Sequence, residues 1–233
     1  MSYNKEMDTT IVIPAYKPVD LLKKCVDSVL AYTDMKQVEL TIVCNGSDEK
    51  SAEYVMSLSK TGVPICFYWY KNALGFTRAS NIGMKIAQTK YIILMNTDVE
   101  ILTFAPRHQW VERLINPMRE NNKIAVTGVA EMTFYGQPFL PFFCVGLQKH
   151  VLEQFNYLDE AFSPGYGEDI DFCFKVVRNG YEIKLITKNE LDHINKRCIS
   201  DFPMFHRGRA SFGIDGAALA ARGEQIIYER YIK

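Results

Sequence analysis

The first hundred residues alternate short apolar runs with longer segments in which apolar residues recur every three or four positions. The short runs predict strands, and the longer segments predict helices between them. The predicted strands cover residues 9–14, 38–43, 65–70 and 91–95, and the predicted helices cover 19–32, 49–61 and 76–88. Because strands that alternate with helices usually pair in parallel through right-handed crossovers, this half predicts a parallel sheet covered by helices.

The second half has a less regular pattern. Helices are predicted over residues 109–120, 148–155, 168–179 and near 216–231, and strands over 124–129 and 181–186. Residues 133–143 are rich in aromatic side chains and proline, which predicts a loop. Since neither an internal repeat nor a linker interrupts the pattern, we expect a single domain over residues 1–233.

The composition favours a soluble globular protein, and its balanced charge argues against a partner that binds through net charge, such as a nucleic acid. Hydrophobic residues make up 48% and charged residues 23%, and 27 basic residues balance 27 acidic ones. With no net field we expect no nucleic-acid partner. The longest apolar stretch, residues 138–147, is too short and proline-rich to cross a bilayer, so no transmembrane segment is expected. With no signal peptide recognisable, we expect a cytoplasmic protein, with peripheral membrane association left open.

The six cysteines lack the spacing of a zinc site or a disulfide framework. Four of them lie in apolar surroundings: Cys25, Cys44, Cys144 and Cys173. We expect them to be reduced thiols in the core.

The strongest chemical signal follows the apolar run 91–95, where Asn96, Thr97, Asp98 and Glu100 come next. Ligands bind at the carboxyl ends of strands in open α/β sheets. Side-chain oxygens there suit a divalent cation that also contacts a diphosphate. The simpler alternative is a turn or helix cap, which acidic residues often supply.

A second segment, residues 72–83, has the features of a phosphate-binding helix start. Gly75 and Gly83 permit close backbone approach, and Arg78 lies in the first turn of the predicted helix. The segment is neither a dinucleotide-binding fingerprint nor a P-loop. The alternative is an ordinary helix start with a surface arginine.

A third segment places Glu168 and Asp169 at a predicted helix start, after an aromatic and glycine-rich approach over residues 162–167. Acids in a first helical turn often do no more than oppose the helix dipole. The dipole is expected to lower the pKa of such a carboxylate, which weakens it as a base.

His193 follows the last predicted strand and is a candidate metal or diphosphate contact, although a lone histidine is more often structural. His108, His150 and His206 have no comparable context and are assigned no role.

Together these segments resemble the inverting family 2 glycosyltransferases of GT-A fold. The matching segments are residues 10–16, 43–47, 72–83, 94–100, 158–160, 167–171 and 178–181, in family order. The resemblance implies an α/β fold with a Rossmann-like, mostly parallel central sheet flanked by helices and a smaller acceptor-side subregion. Residues 1–100 would form the nucleotide-sugar-binding half, and residues 101–233 the acceptor-binding half with a C-terminal helical tail.

The resemblance also implies partners and site residues. The donor would be a UDP- or dTDP-sugar, the acceptor a glycan hydroxyl and the cofactor Mn²⁺ or Mg²⁺. Asp169 would be the general base with Glu168 beside it, and the metal would contact Asp98 and His193. The implied donor-binding residues are Pro14, Ala15, Tyr16, Asn45, Asn72, Gly75, Arg78, Asn81, Asn96, Thr97 and Asp98.

Two departures from the family pattern bear on specificity. Asn96 stands where the metal motif usually begins with an acid, as in rhamnosyltransferase-like members, which points towards rhamnose or another hexose. Cys44 replaces a common aspartate, which leaves the choice between UDP and dTDP open. The alternatives are a sugar nucleotidyltransferase, whose basic glycine-rich loop is missing after the first strand, and a non-catalytic nucleotide-sugar-binding module. The chain is also compatible with being part of a longer multidomain protein.

Overall fold

The computed structural model describes residues 7–16, 18–46, 48–102, 106–188, 201–208 and 216–233. Its strands are β1 (Thr9–Ala15), β2 (Val38–Asn45), β3 (Ile65–Tyr70), β4 (Tyr91–Met95), β5 (Val99–Ile101), β6 (Ile124–Gly128), β7 (Met132–Phe134), β8 (Gln137–Phe139), β9 (Cys144–Gln148), β10 (Glu182–Leu185) and β11 (Met204–His206). Its helices are α1 (Val19–Tyr32), α2 (Glu49–Ser59), α3 (Phe76–Ile86), α4 (Gln109–Glu120), α5 (Lys149–Gln154), α6 (Glu168–Arg178) and α7 (Gly216–Ile227). A 3-10 turn covers Glu160–Phe162, and a π-helical turn, Tyr228–Ile232, follows α7.

Seven strands form the central sheet in the order β10-β6-β9-β4-β1-β2-β3. All of them run in one direction except β9, which is antiparallel to both β4 and β6. The predicted α/β class and mostly parallel sheet are therefore confirmed. The alternation of strand and helix in the first half explains this, because each crossover helix returns the chain to the same edge of the sheet.

The central strands are uniformly apolar because both faces of the sheet are covered. Along β1, Ile11 and Ile13 pack into one hydrophobic core while Val12 packs into the other. In β4, Ile93 and Ile92 divide between the two cores in the same way. A strand buried on both faces loses the polar alternation of a half-exposed strand, which is why these segments appear as continuous apolar runs.

Two sequence predictions in the second half were wrong. The segment 133–143 is not wholly a loop, because β7 and β8 pair as an antiparallel hairpin. Strand β9 was not predicted at all, although its residues are buried. The hairpin was missed because its strands have three residues each, too few to show a periodicity. Strand β9 was missed because residues 138–147 form an apolar stretch broken by proline, whose periodicity favours neither helix nor strand.

A second small sheet brings the end of β4 close to the late part of the chain. Strands β5 and β11 pair antiparallel, with Val99 opposite His206 and Ile101 opposite Met204. The residue before β5 is Asp98, whose carbonyl accepts a hydrogen bond of 3.0 Å from the amide of Arg207. This pairing fixes a C-terminal segment beside the strand-end acid.

The positions of the cysteines and the character of the helices bear on two expectations drawn from composition. The four cysteines predicted to be core thiols, Cys25, Cys44, Cys144 and Cys173, are all buried. Among the residues that the structure describes, none of the helices has the length and apolar character needed to cross a bilayer.

Candidate active site

A cleft of about 590 Å³ lies where β1, β2 and β4 end, at the carboxyl edge of the parallel strands. Seven residues predicted to bind the donor line it: Pro14, Tyr16, Asn45, Gly75, Arg78, Asn96 and Thr97. It is also lined by residues for which no role was predicted: Ala73, Leu74, Phe76, Glu160, Ala161, Ser163, Pro164, Leu219 and Arg222. The topology gathers them because parallel strands deliver their polar C-terminal residues to one place.

The remaining predicted donor residues lie around the cleft rather than on its lining. Ala15 is buried at the end of β1, and Asn72 is exposed near the start of the 71–75 loop. Asn81 is buried and exchanges hydrogen bonds with the backbone of Leu158, at 2.8 Å to its carbonyl and 3.1 Å from its amide. Asn81 thus anchors the segment that leads to the cleft residue Glu160.

Two close approaches shape the inner wall of the cleft. The Asn45 side-chain oxygen accepts a hydrogen bond from the amide of Leu74, which ties the end of β2 to the 71–75 loop. Gly75 has a φ of 87°, and a Cβ atom there would lie 2.5 Å from the Cα of Pro164. Glycine is required at position 75 both for this conformation and for this contact.

Ion pairing and helix α7 form the outer wall. Arg78 Nε lies 3.2 Å from Glu160 Oε2, and both side chains are about half exposed. From α7, the two terminal nitrogens of Arg222 donate to the carbonyls of Ser163 and Ala161, at 2.9 and 2.8 Å. A guanidinium that binds two backbone carbonyls fixes the loop in one orientation, so α7 positions this wall.

Asp98 is a buried acid at the end of β4, where the sequence predicted a cation. Its side chain is 5% exposed, and its Oδ2 atom lies 3.5 Å from Nε2 of His206. Its Oδ1 atom finds no hydrogen-bond partner among the described residues. The side-chain oxygen of neighbouring Asn96, which lines the cleft, is also buried without a partner in the described part of the chain. Buried polar atoms of this kind usually have a partner, so these two atoms indicate a place for a ligand.

His206 is the functional candidate that the sequence analysis missed. Its ring stacks on Phe143 with a centroid separation of 4.0 Å and an interplanar angle of 11°. The β5–β11 pairing and this stack together aim its Nε2 atom at Asp98. A usable signal was present, because His206 ends a short apolar run, as Asp98 follows one. His193, the histidine predicted for this role, lies outside the described residues.

The residues at this edge fit a divalent cation only if the donor supplies further ligands. No group of three or more His, Cys, Asp or Glu side chains with metal-binding geometry occurs in the described ranges. Asp98 and His206 offer two protein ligands, and Mg²⁺ or Mn²⁺ commonly combines one or two such ligands with substrate phosphates and water. The pair therefore suits a cation that arrives with a diphosphate.

Glu168 and Asp169 begin α6 after Gly167, whose φ of 96° turns the chain into the helix. Burial raises the pKa of Asp169 to about 6, although the backbone amides of Ile170, Asp169 and Phe142 oppose the shift. Burial, followed by the charge of Asp169, raises the pKa of Glu168 well above its ordinary value. The expected lowering by the helix N-terminus was wrong for this pair, because desolvation outweighs the amides.

Two adjacent residues, Phe142 and Phe143, connect the end of β4 to the start of α6. The amide of Phe142 hydrogen-bonds to Asp169, and the carbonyl of Phe143 accepts a bond of 2.8 Å from the amide of Asn96. The segment entering β9 thus contacts Asp169 through one residue and Asn96 through the next. Strand β9, which begins at the next residue, is paired on both edges.

Comparison with curated proteins finds bacterial glycosyltransferases. Glycosyltransferase GlyA of Streptococcus pneumoniae is 29% identical over 89 residues, which are 38% of this chain and 12% of GlyA. Glycosyltransferase GlyG of the same organism is 24% identical over 119 residues, 51% of this chain and 38% of GlyG. The aligned region thus covers well under half of each relative.

Comparison with solved structures finds the same architecture at low sequence identity. The mannosyltransferase PcManGT from Pyrobaculum calidifontis, in complex with GDP-Man and Mn²⁺, has a TM-score of 0.64 at 14% identity, covering 76% of this chain and 54% of that chain. TarS of S. aureus, residues 1–349, has a TM-score of 0.60 at 15% identity, covering 78% of this chain and 59% of that one. These likenesses show a GT-A fold.

The family itself follows from the sequence match. Residues 10–143 match the family model described as Glycosyl transferase family 2. This match covers more than half of the chain and includes β1, the 71–75 loop, Asp98 and the residues that enter β9. The chain belongs to glycosyl transferase family 2.

Proposed function

We propose that this protein transfers a hexose, with rhamnose as one candidate, from a UDP- or dTDP-sugar to a glycan hydroxyl, with inversion and with Mn²⁺ or Mg²⁺ bound. The observation that carries the proposal is the state of Asp98. Its carboxylate is buried beside the donor cleft, faces His206 and leaves one oxygen without a partner among the described residues. An incompletely paired buried carboxylate costs stability, and a bound cation would offset that cost.

The cleft has the size and chemistry for a nucleotide-diphosphosugar. Its volume of about 590 Å³ lies within the range usual for small-molecule sites, and its lining mixes apolar and polar groups. Tyr16 offers an aromatic face for a base, and Arg78 offers a cation for a phosphate. The solved structures of PcManGT in complex with GDP-Man and of TarS in complex with UDP support this class of donor.

Asp98 and His206 are the residues we assign to the cation, with the diphosphate oxygens completing its ligands. A bound divalent cation neutralises charge on a departing diphosphate. Asn96 lines the same edge with a buried amide oxygen that is unpaired among the described residues, and we assign it to the donor rather than to the metal. The earlier prediction of His193 as a metal ligand stays a prediction.

Asp169 is the group we assign as general base. With a pKa of about 6 it is mostly ionised at neutral pH and is a stronger base than an ordinary aspartate. It would accept the proton of the acceptor hydroxyl as that oxygen attacks the anomeric carbon. The raised pKa of Glu168 favours its neutral form, which can donate a hydrogen bond to a sugar hydroxyl beside Asp169.

A donor panel tests the proposal directly. UDP-, dTDP- and GDP-sugars are screened by thermal stabilisation with Mn²⁺, and the sugar that stabilises the fold is then followed for hydrolysis and transfer. Asp98→Asn should abolish Mn²⁺-dependent turnover while the protein stays folded, and Asp20→Asn, an exposed change on α1, should keep the parent's rate. An α-linked donor should give a β-linked product.

The outcomes separate the alternatives. Stabilisation by a donor without turnover would support a nucleotide-sugar-binding module. Formation of a nucleotide sugar from a sugar phosphate and a nucleoside triphosphate would support the nucleotidyltransferase. Either result would overturn the transferase proposal.

A further inference from the structure

The turn between β7 and β8 carries a tyrosine where the backbone favours a smaller residue. Phe134 pairs with Gln137, so Tyr135 and Gly136 form a two-residue turn with φ values of 47° and 74°. Turns with positive φ at both positions usually contain Asn-Gly or Asp-Gly, because a side chain beyond asparagine is strained there. Tyr135 is nevertheless 63% exposed, so its ring does not repay this strain through burial. An exposed aromatic side chain on a strained turn indicates a functional constraint.

Tyr135 belongs to a small aromatic surface that joins two elements. Its ring lies 4.9 Å from that of Phe134 in an edge contact and 5.6 Å from that of Tyr228 at a tilt of 48°. Tyr228 begins the π-helical turn after α7 and is 37% exposed. We call these three residues, Phe134, Tyr135 and Tyr228, the aromatic tip.

Two elements connect the aromatic tip to α6, the helix that carries the proposed base. Strand β8 packs on α6, whose first turn carries Asp169. Gly223 of α7 lies against Tyr166 and Gly167, so a Cβ atom on it would come 2.3 Å from the Tyr166 carbonyl oxygen. Tyr228 follows Gly223 by about 7.5 Å along the helix axis, at 1.5 Å per residue. The tip therefore rests on the same helix, α6, whose first turn carries the proposed base.

We propose that the aromatic tip is a binding platform for the acceptor glycan, one or more sugars away from the hydroxyl that reacts. This inference rests on the proposed transferase function and deepens it. The C–H face of a sugar ring packs on the face of an exposed tyrosine, and Thr133 and Gln137, both exposed on the hairpin, can hydrogen-bond to its hydroxyl groups.

The charge of the hairpin favours a neutral glycan over a membrane. Residues 132–139 include no lysine or arginine. Segments that lie on anionic membranes usually combine aromatic with basic residues, because the basic side chains bind lipid headgroups. Near Tyr228, the basic group of Arg230 is already paired, at 2.7 Å from Asp159 and 2.9 Å from Asp171. The exposed Lys233, whose amide donates to the Tyr228 carbonyl, is balanced by the exposed Glu229 of the same turn. A neutral, hydroxyl-rich chain matches this surface.

The test measures capture of glycans without donor, on a printed array of neutral oligosaccharides. The parent should bind a subset of them, and Tyr135→Asn and Tyr228→Ala should each weaken that binding about tenfold. Tyr135→Asn is informative because asparagine suits the turn, so its melting temperature should equal or exceed that of the parent. Met132→Ala is the matched control, since Met132 is an exposed, non-aromatic residue of the same hairpin and should leave binding unchanged.

Three results would overturn the platform: no glycan bound by the parent, equal binding by the tyrosine variants, or equal weakening by Met132→Ala, which would indicate a general apolar contact. Binding to phosphatidylcholine–phosphatidylglycerol vesicles that the tyrosine variants lose, without glycan capture, would assign the tip to a membrane instead. Donor hydrolysis by the parent is measured in parallel and tests the transferase function independently. Failure of one inference is thereby distinguished from failure of the other.

Discussion

Nε2 of His206 lies 3.5 Å from Oδ2 of Asp98, although the two residues come from distant parts of the chain. Antiparallel pairing of β11 with β5 sets their register, and the stack of His206 on Phe143 sets the ring orientation. The carbonyl of the same Phe143 accepts a hydrogen bond from the amide of Asn96, and the amide of Phe142 donates one to the Asp169 carboxylate. Phe142 and Phe143, the two residues before β9, thus contact the residues proposed for the donor and the cation as well as the proposed base.

Asp169→Asn should lower turnover at least ~10²-fold while leaving donor affinity nearly unchanged, because the amide cannot accept the acceptor proton. Steady-state transfer and donor titration measure the two quantities separately. In the parent, turnover should fall as pH drops through about 6, where the Asp169 carboxylate becomes protonated. Parent-like turnover in the asparagine variant would remove Asp169 from the mechanism.

The paired acids should cost stability at neutral pH. An acid whose pKa is higher in the folded than in the unfolded state stabilises the fold below its ordinary pKa, and this contribution is lost as pH rises through the folded value. For Asp169 the loss runs from about pH 4 to beyond about pH 6. Urea unfolding at pH 7 should therefore show Glu168→Gln/Asp169→Asn to be more stable than the parent by about 1–2 kcal/mol.

Asp34→Asn supplies the control of opposite sign. The Gln37 side chain donates a hydrogen bond to Asp34 and lowers its pKa, so this substitution should not raise stability at pH 7. A gain for Asp34→Asn equal to that of the double variant would show that the stabilisation does not come from buried charge.

Gly75→Ala should damage the cleft more than its backbone strain explains. The new methyl group would lie 2.5 Å from the Cα of Pro164, whereas at Gly180, with a similar φ of 84°, a Cβ atom would meet nothing within 4 Å. Gly75→Ala should therefore lose about 1–3 kcal/mol more stability than Gly180→Ala and should weaken donor binding. Denaturant unfolding and donor titration compare the two variants. Equal losses would mean that the close approach to Pro164 is unimportant.

Arg222→Lys should weaken donor binding severalfold with little change in the fold. A lysine ammonium cannot reproduce the two-pronged contact with the carbonyls of Ser163 and Ala161, so the 160–164 wall of the cleft would be held less firmly. Glu224→Ala, an exposed change two residues from Arg222 and on the other side of α7, should leave donor affinity unaltered. Donor titration calorimetry measures both, and an unchanged affinity in Arg222→Lys would deny α7 this positioning role.

The parts of the fold that could be predicted are those where burial leaves a clear pattern. Strand β4 and helices α1 and α4 have the predicted boundaries, because a strand covered on both faces is apolar throughout and an amphipathic helix repeats every three or four residues. The half-exposed edge strand β3 also has its predicted boundaries, since it is rich in aromatic and β-branched residues. Strand β9 escaped prediction because its apolar residues continue a proline-broken stretch. In such a stretch, pairing partners rather than local periodicity decide the structure.

The site was predictable where chemistry follows a strand end. Asp98 and Asn96 were proposed in this way, because a polar residue after a buried strand has little packing role, whereas Asn45 was proposed from the family resemblance alone. Arg222 could not be identified, since its place depends on long-range contacts made by the C-terminal helix. The short apolar run before His206 was a signal, but its partner is fixed only by the long-range pairing of the three-residue strand β11 with β5. The pKa of Asp169 also depends on tertiary burial, which overrides the effect of the local helix.

Mn²⁺ binding in the presence of the nucleoside diphosphate, followed by electron paramagnetic resonance, tests whether Asp98 and His206 hold a cation. We predict that the parent binds Mn²⁺ with the diphosphate, that Asp98→Asn abolishes this binding, and that His206→Ala weakens it about 10–100-fold. His150→Ala, an exposed histidine on α5, should bind as the parent does. Parent-like Mn²⁺ affinity in both Asp98→Asn and His206→Ala would contradict the assignment of the cation to this edge of the sheet.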